Sequence, residues 1–299
     1  MWCSFTFPRL PAMATSSTRA QLKLVRVHNL VGLGLLAVTT ILVTESHLWG
    51  PPQITIYALA TMLLAAGGNA FNDLRDSSLD AVAHPKRPLP AGELSRAAAW
   101  TTAVSCFISG WVLLTLLWLH FAMYATGIVA LLIIYSIGLK SRYGFLGNVL
   151  TGLLVALVPL LAGLATNRVS SIWHLAALGF LLTIMREIFK DFEDRDGDLL
   201  SFRHTLATGG HNQLAKCIVT LTGIVVFVLS TASLSPNAES GPESILAVLI
   251  SAMAPCAAVL FLNREENARI SQQILKIAMF GIVALVLLRH IHKCVLLAA

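Results

Sequence analysis

Residues 51–80 read PPQITIYALATMLLAAGGNAFNDLRDSSLD, an apolar run that ends abruptly in an acidic window, Asn72-Asp73-Leu74-Arg75-Asp76-Ser77-Ser78-Leu79-Asp80. The run is about 20 residues long, which as a helix crosses a hydrocarbon core of about 30 Å. A bilayer span whose end carries three aspartates is the unit on which the rest of the chain is read. Carboxylates are costly near lipid, so their placement carries information.

Comparable apolar stretches recur outward in both directions, beginning near His28, Pro51, Arg96, Leu119, Phe145, Ser171, His211, Glu243 and Gln273, nine in all. Hydrophobic residues make up 56% of the 299 and charged residues only 12%, about half the charged share of a soluble domain. The expected fold is therefore all-α, a polytopic membrane protein of nine transmembrane helices. Runs of this length and number exclude a lone signal peptide.

Positive charge sets the orientation, because Lys and Arg are retained on the cytoplasmic side. Eighteen of the 21 fall at the amino terminus or in even-numbered loops, and three (Arg168, Arg289, Lys293) on the other face, so the amino terminus and both acidic windows are expected to be cytoplasmic. This asymmetry explains the net charge of +6 without a nucleic-acid partner, since no interleaved basic and aromatic pattern accompanies it. The five cysteines are scattered with no zinc or redox spacing and read as packing or lipid-facing residues. The first twenty residues hold Arg, Ser and Thr but no acid, a composition shared by organelle transit peptides; a flexible cytoplasmic tail is the simpler reading. The domain division is then a tail over 1–25 and a single transmembrane domain over 26–299.

All seven Asp fall in two windows, Asp73 to Asp80 and Asp191 to Asp198. Asp73, Asp76 and Asp80 correspond to Asp191, Asp194 and Asp198 at a constant offset of 118 residues, so both windows read D-x-x-D-x-x-x-D. On helices, Asn72, Asp76 and Asp80 would share a face with Asp73 nearby, and Glu187, Asp191, Asp194 and Asp198 would do likewise. So many like charges in one cleft repel unless cations neutralise them. Oxygen-only ligands point to a hard ion, and Mg²⁺ completes its shell with waters and substrate phosphates. A diphosphate between the windows is the implied ligand. Lys86, Arg87, Lys140, Lys190 and Arg203 fall on the same face, with Arg26 before the first span, where they could clamp phosphate oxygens. Glu45, Glu239, Glu243, Glu265 and Glu266, by contrast, read as ordinary interfacial charges. The second window lacks the alternation and closing Glu of a Ca²⁺-binding EF-hand loop.

These residues resemble a known family. Asn72 to Asp80 is similar to the N-D-x-x-D-x-x-x-D signature of UbiA-type intramembrane prenyltransferases, and His84 to Gly92 (HPKRPLPAG) resembles the H-P-x-R-P-[IL]-x-x-G stretch that follows it. Arg186 to Asp198 (REIFKDFEDRDGD) resembles the family's second motif, in the form found in digeranylgeranylglyceryl phosphate synthases and their bacterial relatives. Tyr135, Lys140, Gly147 and Asn148 resemble a Y-x-x-x-x-K…G-N element, and Arg26 with Asn29 resembles the start of the family's first helix. Lys86 departs from the pattern, where relatives often carry Asp or Asn.

The resemblance implies nine helices around a central cavity, a cytoplasmic cap carrying both motifs, and a side opening to lipid. It implies Mg²⁺-assisted ionisation of a prenyl diphosphate, with two ions held by Asn72, Asp76, Asp80, Asp191, Asp194 and Asp198, and by Asp73 and Glu187 directly or through water. Arg26, Arg87, Lys140, Lys190 and Lys86 would orient the diphosphate. Tyr135 would stabilise the allylic cation or simply pack, and His84 would accept a proton or shape its loop. The expected donor is geranylgeranyl diphosphate and the expected acceptor a prenylated glycerol phosphate. A quinone or aromatic precursor is the nearest rival acceptor, and a terpene cyclase uses the same ionisation with none. A transporter is the alternative from another class, but its ionisable groups belong near the membrane midplane, not at helix ends on one face.

Overall fold

The computed structural model describes residues 18–44, 49–139, 143–200, 203–234 and 242–298. The chain runs through α1 (Thr18–Val25), α2 (Val27–Val43), α3 (Pro51–Ala83), α4 (Arg96–Leu117) and α5 (Phe121–Ile134), which continues as a π-helical turn, Tyr135–Leu139. Then follow α6 (Gly144–Thr166), α7 (Val169–Glu193), a short α8 (Arg195–Leu200), α9 (Asn212–Leu234), α10 (Pro242–Asn263), a 3-10 turn and α11 (Ala268–Ala298). There is no strand among the described residues.

Local sequence accounts for several boundaries. Pro51 and Pro52 open α3, where a missing N–H costs nothing, and the Ser95 hydroxyl accepts from the Ala98 amide at 3.1 Å to cap α4. Each of the nine expected spans falls on a helix. Among the described residues seven helices are long and apolar enough to cross a bilayer, and α1 with α2, bent by 54° at their junction, make an eighth when taken as one span.

One boundary moves. Thr18–Val25, expected within a flexible tail, is helical: Ala20 and Leu24, one turn apart, pack with Ala70, Leu74 and Ala103. Lys23 adds an ion pair to Glu93 at 2.9 Å. The folded domain thus includes α1, and the remainder of the expected tail lies outside the described residues.

Helices in lipid associate by close packing more than by water exclusion, so small residues decide where they meet. A Cβ added to Gly67 would lie 2.7 Å from the Phe107 ring, and one added to Gly110 would lie 2.8 Å from Leu64, which brings α3 and α4 together. Several buried hydroxyls are satisfied within their own helices, as where Thr40 and Thr183 donate to the carbonyls of Leu36 and Gly179. Ile108, Leu116, Leu221 and Ile277 face outward, as in a multi-pass membrane protein. Besides the cluster around Ala20 and Leu24, the described residues form two larger ones, one among α2–α6 around Tyr57, Leu64 and Phe121, and one joining α7 and α9–α11 around Phe189, Phe261 and Leu275. Helices from both clusters wall the main cavity.

Candidate active site

A cavity of about 440 Å³ runs down the inside of α3, a size usual for small-molecule sites. Its polar mouth includes Arg26, Asn72, Arg87, Glu187 and Asp194, and its deep end is lined by Tyr57, Leu114, Ile128 and Leu161. Asn72 and Tyr57 lie on one helix fifteen positions apart, which makes the cavity about 22 Å deep at 1.5 Å per residue. Tyr57 is 1% exposed and donates through its hydroxyl to the Val158 carbonyl at 2.5 Å. Its ring packs edge-on against Trp49, which in turn meets Trp118. This aromatic stack closes the far end.

The first acidic window lies on the uninterrupted last turns of α3, and arginines hold its carboxylates. Asp73 Oδ1 is 2.6 Å from Arg26 Nη2, Asp80 Oδ2 is 2.6 Å from Arg87 Nη1, and Asp76 Oδ2 is 2.8 Å from Arg203 Nη2. Asn72 Nδ2 donates to Asp76 Oδ2 at 3.3 Å, as expected for residues one turn apart. Arg26 sits at the bend between α1 and α2 with φ 56°, a left-handed conformation that costs a non-glycine residue about 1 kcal/mol or more. The bend frees the Val25 carbonyl, and Asn69 Nδ2 donates to it at 2.9 Å. The strained turn thus delivers a guanidinium to Asp73.

The second window departs from the expected single face. Helix α7 ends at Glu193, Asp194 is its C-cap, and α8 begins at Arg195, so Glu187, Asp191, Asp194 and Asp198 point to different partners. Asp191 Oδ2 accepts from Asn148 Nδ2 at 2.8 Å. Asp194 Oδ2 stands 3.7 Å from His84 Nε2. Glu187 meets Arg186 through Oε1 and lies 3.8 Å from Lys190 Nζ through Oε2. Asp198 Oδ1 is 3.6 Å from Arg203 Nη1, so one buried arginine joins the two windows. Gly197 permits this approach: a Cβ there would lie 2.9 Å from the Ala83 Cβ at the end of α3. Burial lowers the His84 pKa, and Arg87 pushes the same way while Asp194 opposes. A neutral imidazole suits a proton acceptor better than an ion-pair partner.

Of the expected diphosphate ligands, Arg26, Arg87 and Lys190 line the cavity, as does Tyr135 on the π-helical turn. Lys140 lies outside the described residues. Lys86 is exposed and does not line the cavity. Arg203, read from sequence only as one of several bases on this face, is the bridge. Arg186 and Lys276 also line the cavity, though neither was singled out as a ligand. Arg186 stands directly before Glu187, which was the available signal; nothing local to Lys276 marks it.

A cavity with carboxylates and cations at its mouth and an apolar depth, inside a bundle of apolar helices, defines a polytopic membrane enzyme that handles an anionic head and a long apolar tail. The sequence pattern of the UbiA prenyltransferase family matches residues 33–281, and the chain belongs to that family. It is thus a UbiA-type prenyltransferase. It is 30% identical over 275 residues to the digeranylgeranylglyceryl phosphate synthase of Pyrococcus abyssi, covering 92% of this chain and 98% of that one. It is 35% identical to the protein of the same name from Methanoculleus marisnigri, covering 74% and 76%. Among solved structures, one described as digeranylgeranylglyceryl phosphate synthase in membranes superposes with a TM-score of 0.70 at 25% identity, covering 92% of this chain and 98% of that one. A UbiA homologue from Archaeoglobus fulgidus bound to GPP and Mg²⁺ gives a TM-score of 0.59 at 16% identity over 89% and 99%, a likeness of fold.

Proposed function

We propose that the protein transfers a geranylgeranyl group from its diphosphate to the hydroxyl of a prenylated glycerol phosphate, at the cytoplasmic end of a nine-span bundle. The observation that carries this reading is the cavity itself, with Asn72 of the first window and Asp194 of the second at its mouth and about 22 Å of largely apolar wall below Asn72. That depth suits a chain of several isoprene units. The names of the relatives support a phosphate-bearing acceptor, and the lopsided distribution of Lys and Arg supports the orientation.

The residues fit Mg²⁺. Asn72 Oδ1 and Asp80 Oδ1 are buried without a hydrogen-bond partner, and the donor set is all oxygen. Among the described residues no three His, Cys, Asp or Glu side chains form a ready-made cage. Mg²⁺ does not require one, since it binds through one or two carboxylates, waters and substrate phosphates. Asn72, Asp76, Asp80, Asp191, Asp194 and Asp198 would hold two ions, with Asp73 and Glu187 directly or through water. Bound there, Mg²⁺ supplies positive charge against the negative charge growing on the departing diphosphate.

Arg26, Arg87 and Lys190 would orient the diphosphate, with Lys140 as a further ligand by the sequence pattern; exposed Lys86 is left out of the set. As the allylic C1–O bond breaks, its electron pair leaves with the diphosphate. The acceptor oxygen forms the new ether bond to C1, and its proton passes to the released diphosphate. The apolar wall keeps water from the cation, and Tyr135 faces the cavity where its ring could stabilise that charge.

The test is diphosphate release and lipid product analysis from purified protein with Mg²⁺ and geranylgeranyl diphosphate, with and without acceptors. An ether lipid formed only with the glycerol phosphate acceptor is the expected outcome. A prenylated aromatic, or a cyclic hydrocarbon formed without acceptor, would replace this reading with the corresponding rival.

A further inference from the structure

The main cavity is not alone. A second one, about 210 Å³, lies between α2, α7 and α11, with walls of Leu36, Leu175, Leu178, Leu182, Met279 and Val283. The two share Asn29, Thr151, Arg186 and Lys276 in their linings, so they meet at a polar junction carrying two cations. At its outer side, Phe280 is 42% exposed and packs on Gly32, where an added Cβ would lie 3.1 Å from the ring. The second cavity thus ends near the lipid-facing surface.

The charge at this junction differs from that at the acidic windows. Arg26, Arg87 and Arg203 each have a carboxylate of the first window within 2.8 Å. Among the described residues Arg186 pairs with its chain neighbour Glu187, and its Nε is buried with no hydrogen-bond partner there. Lys276 makes no ion pair among the described residues, and the carboxylates that act on it, Glu193 and Glu187, are opposed by Arg186 and Lys190. Cations held among apolar walls without full compensation are costly, and an anionic ligand offsets that cost. With the donor chain assigned above to the deep cavity, the second is left for another chain.

We propose that Arg186 and Lys276 bind the phosphate of the acceptor, and that the acceptor's own apolar chain lies in the second cavity while the donor chain lies in the first. The inference rests on the acceptor class proposed above and assigns its binding site. The smaller cavity holds only part of the chain, the rest extending past Phe280 into lipid. Two chains from two cavities then leave together as one product.

The experiment is steady-state kinetics on the purified full chain, wild type beside Lys276→Gln, Arg186→Gln and Lys276→Arg, with the prenylated glycerol phosphate and its dephosphorylated counterpart as acceptors. Lys276→Gln and Arg186→Gln should each raise the acceptor KM about tenfold, the scale of one charged hydrogen bond, while the donor KM stays within about twofold. Both should lose discrimination between the two acceptors, and Lys276→Arg should restore most of it. Gly179→Leu, at the second cavity's wall, should weaken long-chain acceptors and spare a short-chain glycerol phosphate. A rise in donor KM equal to the rise in acceptor KM, or discrimination retained in both Gln variants, overturns the assignment alone. Wild-type protein that prenylates only aromatic acceptors overturns the acceptor class and this assignment together.

Discussion

The two acidic windows have the same spacing and opposite settings. The first rides on one continuous helix, and its three aspartates, each no more than 7% exposed, are clasped by three arginines. The second straddles a helix break, and its members are divided among an amide, a histidine and a shared arginine. One window is charge-balanced by protein. The other is left more open, with Asp194 and Glu187 lining the cavity. An equal pattern of aspartates thus does not give equal sites: the backbone beneath them decides which carboxylates are free to meet a ligand.

The hardest test of this contrast removes one carboxylate from each side. Asp76→Ala and Asp198→Ala should both reduce kcat for diphosphate release about a thousandfold, the upper range for deleting one group that stabilises developing charge. A loss confined to Asp198→Ala would mean that the first window is only structural and that its arginines, not a metal, complete it.

Arg203 sharpens the comparison next, because it is the link between the windows. Arg203→Met leaves Asp76, Asp80 and Asp198 short of a buried counter-charge, a loss of about 3 to 5 kcal/mol. In EDTA the melting temperature should fall by about 10 °C, and Mg²⁺ should recover much of it, since a divalent ion replaces the lost guanidinium. Wild-type protein should respond to Mg²⁺ far less. Equal Mg²⁺ shifts in both proteins would show that the ion does not bind between the windows.

How much of this is legible in sequence follows from what is local. Apolar length locates the helices, and the Asp spacing locates both windows, because each signal lies within about twenty residues. The break at Asp194 is hidden by the even i, i+3, i+7 pattern, which reads as unbroken helix although Gly197 in D-R-D-G-D is a visible cue. Helix α1 is hidden for a similar reason: Ala20 and Leu24 form an apolar pair one turn apart, but the surrounding composition reads as a tail. Arg203 could be placed on the right face but not given its role, because its partners Asp76 and Asp80 lie more than a hundred residues away. Lys276 has no local signal at all, and only the convergence of two cavities brings it forward.

A smaller effect separates the windows by their hydrogen bonding. Asn148→Ala removes the amide that holds Asp191 at 2.8 Å and should lower kcat/KM for the donor about tenfold, the value of one hydrogen bond to a charged group. The protein should remain folded, since Asp191 is only half-buried and water can replace the amide. A loss as large as that of Asp76→Ala would place Asp191 beside the reacting diphosphate with Asn148 as the group that aims it.

The smallest expected effect concerns Lys86, the position where this chain departs from the H-P-x-R-P stretch of its relatives. Sequence places a lysine within one residue of Arg87, whose guanidinium binds Asp80 and lines the cavity, so a shared role in gripping diphosphate is the natural expectation. The turn after His84 defeats it: Arg87 turns inward, while Lys86 stands exposed outside the cavity lining. An exposed ammonium is screened within about 10 Å at 0.1 M salt, so it adds little to a site it does not touch. Lys86→Ala should therefore change the donor KM by less than about twofold, whereas Arg87→Ala should raise it at least tenfold. Equal effects from the two variants, both vanishing at high salt, would show that the mouth of the site is built by long-range charge and not by contact.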